Sequence, residues 1–143
     1  MALVRLFFEI SAANISPKLN NQAKEIAKKI ADKLNYTGTM CVEFFVTKKN
    51  ELLVNEIAPR VHNSGHLTMN AHDVSQFDNH IRAVCNLKLK KPKRIHKAIM
   101  YNILGDDIKK YRSKETMSNE FFYDYGKKVI KDKRKMGHLT KIF

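Results

Sequence analysis

Long apolar runs are absent from this sequence, and their absence excludes a transmembrane helix. A helix that spans a bilayer needs about 18 or more apolar residues in a row, and Glu9 already interrupts the apolar opening of the chain. No cationic segment precedes that opening, so we expect no secretory signal peptide. The 143 residues are 43% hydrophobic and 29% charged, which is typical of one globular domain, or one domain with an appendage.

Cysteine and glycine are also scarce. The two cysteines, Cys41 and Cys85, lie in apolar contexts without the spacing of metal ligands. We therefore predict buried free thiols in a reducing compartment, and a cytoplasmic location. The five glycines form no glycine-rich loop of the kind that cradles phosphate groups.

Acidic residues are few beside basic ones, with 14 Asp and Glu against 27 Lys and Arg, so the net charge is +13. Such an excess favours anionic partners: nucleic acid, membrane headgroups or phosphorylated small molecules. The basic residues are mostly lysines scattered along the chain, and they are densest at 88–97 and 127–135. Scattered lysine is as typical of a solvated surface as of a binding site, so charge alone leaves a nucleic-acid-binding module open.

Hydrophobic periodicity predicts an α+β fold with a mainly antiparallel sheet. Ser16-Pro17 begins a helix with an apolar stripe that ends near Leu34, and a second helix near 74–87 carries its apolar residues on one face. Most of 59–70 is predicted as a loop. The predicted strands are the first ten residues, 39–47, 52–57, 98–104, 121–125 and 136–143.

Two glutamates on the predicted hairpin give the sharpest chemical signal. A two-residue turn at 49–50 would place Glu43 opposite Glu56. Opposed residues have Cβ atoms about 4.5–5.5 Å apart, so two carboxylates there repel each other unless a cation lies between them. Paired carboxylates beside phosphate oxygens are the usual ligands of Mg²⁺ at a nucleotide site. The alternative is that both side chains face water at a sheet edge and bind nothing.

A polar loop follows the second glutamate directly. Arg60 offers a planar fork for carboxylate or phosphate oxygens, and His62 can move a proton near neutral pH. His62 and His66 are four residues apart, which on a helix would suggest a zinc pair, but Pro59 and Gly65 argue against a helix. The loop could also be held together by its own polar groups alone.

These segments carry a family resemblance. The segments are CVEFFVT at 41–47, ELLVNEIAPRVHNSGHLT at 51–68, SQFDNHIRAV at 75–84, YGK at 125–127 and RKMGH at 134–138. They resemble motifs of the 5-(carboxyamino)imidazole ribonucleotide synthases. That family, also called the ATPase subunit of phosphoribosylaminoimidazole carboxylase, belongs to the ATP-grasp superfamily. The resemblance covers about residues 15–140.

The resemblance implies a fold and a reaction. Residues 1–90 would be the C-terminal part of an ATP-grasp domain, an antiparallel sheet with packed helices, and 91–143 a small β-rich C-terminal domain. The family carboxylates aminoimidazole ribonucleotide with bicarbonate and ATP, through carboxyphosphate, in de novo purine biosynthesis. It implies Mg²⁺ as cofactor, a homodimer, and neither a membrane nor nucleic acid as partner.

The resemblance also implies roles for eight residues. Glu43 and Glu56 match the Mg²⁺ ligands, and together with Asn55 they match the ATP-binding residues. Arg60 and His62 match catalytic positions. The substrate-binding positions are Asn63, Lys127 and Arg134.

The length of the chain departs from the family, whose members are much longer and open with a Rossmann-like domain and a lobe that cradles the ATP phosphates. We therefore expect an ATP-dependent ligase by family, with this chain inactive on its own. The alternatives are a non-catalytic basic module, which binds nucleic acid or forms one half of a split enzyme, and a zinc hydrolase that would need a ligand besides His62 and His66.

Overall fold

The computed structural model describes residues 15–143, so the strand predicted for the first ten residues lies outside the described part of the chain. The described residues form two compact units. The first contains the residues up to His66 together with Val74–Pro92, and the second contains Leu67–Asp73 and Lys93–Phe143. No helix within 15–143 is both long enough and apolar enough to cross a membrane.

The first unit begins with helix α1, Pro17–Lys33, as predicted. The Ser16 hydroxyl accepts a hydrogen bond from the backbone N–H of Leu19, and Pro17 occupies the first turn, where no backbone donor is needed. Asn35, with a φ of 47°, lies just past the end of the helix. The buried stripe of the helix consists of Leu19, Ala23, Ala27 and Ala31.

Strands β1, Cys41–Val46, and β2, Leu52–Ala58, form an antiparallel hairpin. Its turn is longer than predicted. The backbone N–H of Thr47 bonds to the carbonyl oxygen of Glu51 at 2.9 Å, which leaves three residues in the loop. The last of them, Asn50, has a φ of 59°, the left-handed conformation that such loops require.

A β-bulge in β2 compensates for the longer turn. Phe44 pairs with Val54, but Glu43 pairs with Glu56, so Asn55 is the extra residue. The predicted turn is therefore wrong by one residue, while the predicted pairing of the two glutamates is confirmed. The longer turn and the bulge cancel because they shift the register by one residue in opposite directions.

Helix α3, Gln76–Val84, turns a partly polar face inward. The Ser75 side chain and the Asp78 carboxylate form a capping box at its start. Gln76 and Asn79 are buried because they hydrogen-bond to neighbouring loops. The apolar stripe seen in the sequence is exposed: Phe77, Ile81 and Val84.

The cysteines depart from the prediction. Both are free thiols, but Cys41 is half-buried and Cys85 is exposed. Cys85 caps the end of α3 on its exposed side. For Cys41 on β1, apolar neighbours in sequence did not report burial because successive residues of a strand face opposite sides.

The second unit is built on a three-stranded antiparallel sheet in the order β3-β5-β4. Its strands are β3, Ala98–Leu104, β4, Glu120–Asp124, and β5, Lys135–Ile142, close to the predicted bounds. Two short helices, α2, Thr68–Ala71, and α4, Asp107–Arg112, complete the unit.

The core of the second unit is small and apolar. It consists of Ile103, Ile108, Met136 and Leu139, with Phe122 among the side chains packed against it. Ile108 comes from α4, in a stretch whose weak pattern predicted no element. The α+β prediction is confirmed for the described residues.

Candidate functional site

The hairpin of the first unit brings the predicted carboxylates together. Glu43 is the register partner of Glu56 at the bulge. The Asn55 side-chain amide donates to the Glu43 carboxylate at 3.3 Å. In a regular strand the Asn55 side chain would face away from Glu56. The bulge instead brings the Asn55 amide to the same side as the two carboxylates.

His62 joins this group from the loop after β2. Its Nε2 lies 3.5 Å from Glu43 Oε1, and its Nδ1 lies 2.9 Å from the Ser64 hydroxyl. The Cys41 sulfur lies 3.7 Å from the same hydroxyl. Cys41 and Glu43 are two residues apart on β1, so both side chains point to the face that meets the loop.

Gln76 fixes the loop. Its side-chain oxygen accepts from the backbone N–H of His62 at 2.9 Å, and its Nε2 donates to the His62 carbonyl at 2.7 Å. The same Nε2 lies 2.7 Å from His66 Nδ1. Packing is tight, since a Cβ on Gly65 would lie 2.5 Å from the Gln76 side-chain oxygen.

The two loop histidines face different neighbours. His66 stacks on Phe77, with ring centroids 5.4 Å apart, while His62 faces Glu43. The loop is not an α-helix and contains only the 3₁₀ turn Asn63–Gly65. The helical spacing that would pair these histidines on a metal is therefore absent, as the sequence analysis argued.

Charges of both signs act on the Cys41 thiol. Burial raises its pKa most, the hydrogen bond with Ser64 lowers it, and the negative charges of Glu43 and Glu56 raise it further. The Arg60 guanidinium lowers it. Glu43, Glu56 and Arg60, three of the site residues predicted from the sequence, are therefore all close enough to Cys41 to shift the pKa of its thiol.

The remaining loop residues are less constrained. Arg60 is exposed, and its Nη1 donates to the Val61 carbonyl at 3.0 Å. Asn63 begins the 3₁₀ turn, and its backbone carbonyl accepts from the N–H of His66 at 3.1 Å.

Lys127 and Arg134 belong to the second unit, in the connection between β4 and β5. Lys127 Nζ donates to the Lys135 carbonyl at 2.6 Å and lies 5.3 Å from the centre of the Tyr125 ring. Arg134 donates to the Val129 carbonyl at 3.0 Å. Both cations are half-buried and are held by backbone oxygens.

Three contributors were not identified from the sequence: Cys41, Ser64 and Gln76. Alternation along β1 places Cys41 on the face of Glu43 and could have signalled it. Ser64 and Gln76 gave no such signal, because a hydrogen bond between a loop and a distant helix depends on the tertiary fold.

Comparison with known proteins supplies the wider context. A family model described as ATP-grasp domain matches residues 5–77. A second, described as phosphoribosylaminoimidazole carboxylase C-terminal domain, matches residues 98–143. The N5-carboxyaminoimidazole ribonucleotide synthase of Bacillus subtilis is 46% identical over 136 residues, which are 94% of this chain and 36% of the relative.

Solved structures of the same family are similar to this chain in fold as well as in sequence. An N5-carboxyaminoimidazole synthetase from Staphylococcus aureus, complexed with ADP, is 41% identical with a TM-score of 0.80, over 92% of this chain and 36% of its own. An Aspergillus clavatus synthase, in complex with ADP and 5-aminoimidazole ribonucleotide, is 32% identical with a TM-score of 0.80. The match covers 92% of this chain and 37% of the Aspergillus chain. The chain thus spans little more than a third of the length of these relatives.

Proposed function

We propose that this chain, which belongs to the N5-carboxyaminoimidazole ribonucleotide synthase family of ATP-grasp proteins, forms the C-terminal part of an ATP-dependent ligase. The reaction is the carboxylation of aminoimidazole ribonucleotide with bicarbonate, at the expense of ATP, in purine biosynthesis. Residues 1–90 complete the ATP-grasp domain and 91–143 form the small C-terminal domain. The two family models, on 5–77 and 98–143, support this division.

The observation that carries the proposal is the pairing of Glu43 with Glu56, with His62 3.5 Å from Glu43. Carboxylate oxygens are hard ligands that suit Mg²⁺, and the repulsion between two opposed carboxylates favours a cation there. Both glutamates would hold the ion, which on binding neutralises charge on the phosphates of ATP. Asn55 orients Glu43 through its amide.

Arg60 and His62 are assigned to the chemistry. Arg60 is exposed and presents its guanidinium to anionic reactants, which lowers their mutual repulsion. His62 is held from both sides, by Gln76 at its backbone and by Ser64 at Nδ1. Its Nε2 is then the ring nitrogen that can hold or move a proton beside the carboxylates.

Asn63, Lys127 and Arg134 are assigned to the phosphorylated substrate. The support for Lys127 and Arg134 is that backbone carbonyls hold both cations in place, so less side-chain freedom is lost when an anion binds. The resemblance alone supports Asn63, as it does the homodimer and the cytoplasmic location that we propose with it.

Calorimetry with aminoimidazole ribonucleotide tests the substrate assignment on the full 143-residue chain. We expect binding that weakens as salt is added, because salt screens the charges. Arg134→Ala should remove most of the affinity. Arg82→Ala is the matched control, since Arg82 is also an arginine that donates to a backbone carbonyl. Equal losses in both variants would indicate diffuse charge attraction and would refute the assignment.

We also propose that the 143 residues alone do not turn over ATP, because they span only about a third of the relatives. Positioning and charge stabilisation provide nearly all catalysis in phosphoryl transfer, and both depend on a complete site. A coupled ADP-release assay with Mg²⁺, bicarbonate and aminoimidazole ribonucleotide measures this. Turnover at about 1 s⁻¹ or above, the low end for kinases, would contradict it.

A further inference from the structure

Cys41, Glu43 and His62 form a cluster that the proposed reaction does not explain. The Cys41 sulfur, a Glu43 carboxylate oxygen and a His62 ring nitrogen all lie within 4.8 Å of one another. The family assignment uses Glu43 and His62 and leaves the thiol without a role. A thiol, an imidazole and a carboxylate together are the ligand types of a borderline metal such as Zn²⁺, whereas Mg²⁺ prefers oxygen alone.

One distance within the cluster already suits a tetrahedral site. Zinc–ligand bonds of about 2.0–2.3 Å put neighbouring ligand atoms about 3.4–3.6 Å apart. His62 Nε2 and Glu43 Oε1 already lie 3.5 Å apart. The Cys41 sulfur lies within 4.8 Å of the ligand atoms of the other two residues, and rotation about the Cys41 Cα–Cβ bond can change these distances without backbone movement.

The His62 imidazole is held in place by neighbouring groups. A histidine that binds a metal through one ring nitrogen usually donates from the other to a nearby acceptor. His62 Nδ1 accepts from the Ser64 backbone N–H at 3.4 Å and lies 2.9 Å from the Ser64 hydroxyl, while Nε2 faces Glu43. Metal binding through Nε2 would use the tautomer in which Nδ1 donates to the Ser64 hydroxyl. Gln76 bonds to both backbone polar groups of His62 and so positions the backbone that carries the ring.

We propose that Cys41, Glu43 and His62 bind a thiophilic divalent cation of the Zn²⁺ class, with Ser64 as the partner that orients His62. Three protein ligands leave one tetrahedral position for water or an exchangeable ligand. Glu43 also belongs to the proposed Mg²⁺ pair, so the two cations compete for it. That competition rests on the proposed function, whereas metal binding by the cluster does not.

Cobalt spectroscopy on the full chain tests this site, with Co²⁺ as the probe and a reductant that contains no thiol. We expect one Co²⁺ per chain, a thiolate-to-cobalt charge-transfer band in the near ultraviolet, and loss of that band when Zn²⁺ is added. A wild-type titration without the band overturns the proposal whatever the variants do.

Variants assign the ligands. Cys41→Ser should abolish the band, while Cys85→Ser, the matched control at the other thiol, should leave it unchanged. His62→Gln should weaken Co²⁺ binding by at least about 100-fold, since loss of a second-shell partner alone costs 10–100-fold. His96→Gln, at an exposed histidine of the second unit, is its control. Ser64→Ala should weaken binding by about 10–100-fold.

Two results separate this proposal from the proposed function. Glu56→Gln removes one of the proposed Mg²⁺ ligands but should keep the cobalt band. Loss of the band in Glu56→Gln, retention in Cys41→Ser or loss in Cys85→Ser would each overturn the three-ligand site. Circular dichroism of the metal-free proteins accompanies each comparison, and Cys41→Ala replaces Cys41→Ser if the serine variant does not fold.

Discussion

Gln76 positions the loop after β2, although the family resemblance gave it no role. It is 2% exposed and bonds to the backbone N–H and the carbonyl of His62. An amide side chain can satisfy a donor and an acceptor at once, which explains why a glutamine occupies the buried face of α3. The loop that carries His62 is therefore positioned by a helix that follows it in sequence.

We expect Gln76→Ala to lower the free energy of unfolding by about 1–3 kcal/mol, because it leaves the backbone N–H of His62 without its partner. The His62 carbonyl keeps the hydrogen bond from the Gly65 N–H. Urea denaturation measures the change. Gln22→Ala is the matched control, since Gln22 is exposed on α1 and its replacement should change stability by less than about 0.5 kcal/mol. Equal effects at the two positions would show that Gln76 does not support the loop.

Individual site residues differed in how far the sequence could predict them. The hairpin strands that carry Glu43 and Glu56 were predictable because hairpin pairing is local. The pairing of the two glutamates was predicted correctly only because the longer turn and the bulge offset each other. The burial of Cys41 and Cys85 was mispredicted, since apolar neighbours report the composition of a segment and not the direction of one side chain. Ser64 and Gln76 act through long-range contacts, which no local pattern encodes.

At the scale of elements, the hairpin shows how a correct pairing can follow from an incorrect turn. The three-residue loop moves the register by one residue, and the bulge at Asn55 moves it back. Because a shift of one residue reverses the face of every side chain, the bulge decides that Glu56 and Glu43 are opposed. The alternation of apolar and polar residues predicts strands well. A single inserted residue leaves that alternation almost unchanged, so a bulge cannot be detected from it.

The left-handed conformation of Asn50 gives a test of this turn. Its φ is 59°, where side chains other than Gly, Asn and Asp are strained. We expect Asn50→Ala to cost about 1–2 kcal/mol of unfolding free energy, and Asn50→Gly to be neutral or slightly stabilising. Chemical denaturation of the pair measures it. If alanine is tolerated as well as glycine, the three-residue turn is wrong.

Helix α3 shows the limit of the helical period as a predictor. The helix was predicted, yet its regular apolar stripe is exposed and Gln76 and Asn79 are buried. The period locates a helix but does not say which face packs. Here hydrogen bonds to two loops, including those of Asn79 with Lys90, decide the orientation.

At the scale of the whole molecule, stability should depend on acidic pH in both units. Hydrogen bonds from Ser75 lower the pKa of Asp78 in the first unit, and hydrogen bonds from Arg112 and from the Gly126 backbone lower the pKa of Asp124 in the second. A carboxylate with a lowered pKa in the folded state stabilises the fold fully above its unfolded pKa, about 3.9, and this stabilisation is lost as pH falls through the folded value.

We therefore expect the free energy of unfolding to fall below about pH 4. Asp78→Asn and Asp124→Asn should be less stable than wild type at neutral pH and should lose less on acidification. Denaturation curves between neutral and acidic pH measure, for each variant, the slope of unfolding free energy against pH. Slopes parallel to that of the wild type would show that these two carboxylates do not contribute to the acid sensitivity.

We propose that this chain supplies the Mg²⁺-ATP carboxylates and the substrate loop of a carboxyaminoimidazole ribonucleotide synthase. The most direct test places its 143 residues in the matching third of the Bacillus subtilis relative and measures ATP cleavage that depends on aminoimidazole ribonucleotide. We expect an active chimera that loses at least about 100-fold in rate on Glu43→Gln or Glu56→Gln. The control Glu51→Gln, in the hairpin turn, should stay active. A folded chimera that is inactive, or one whose rate survives Glu56→Gln, would contradict it.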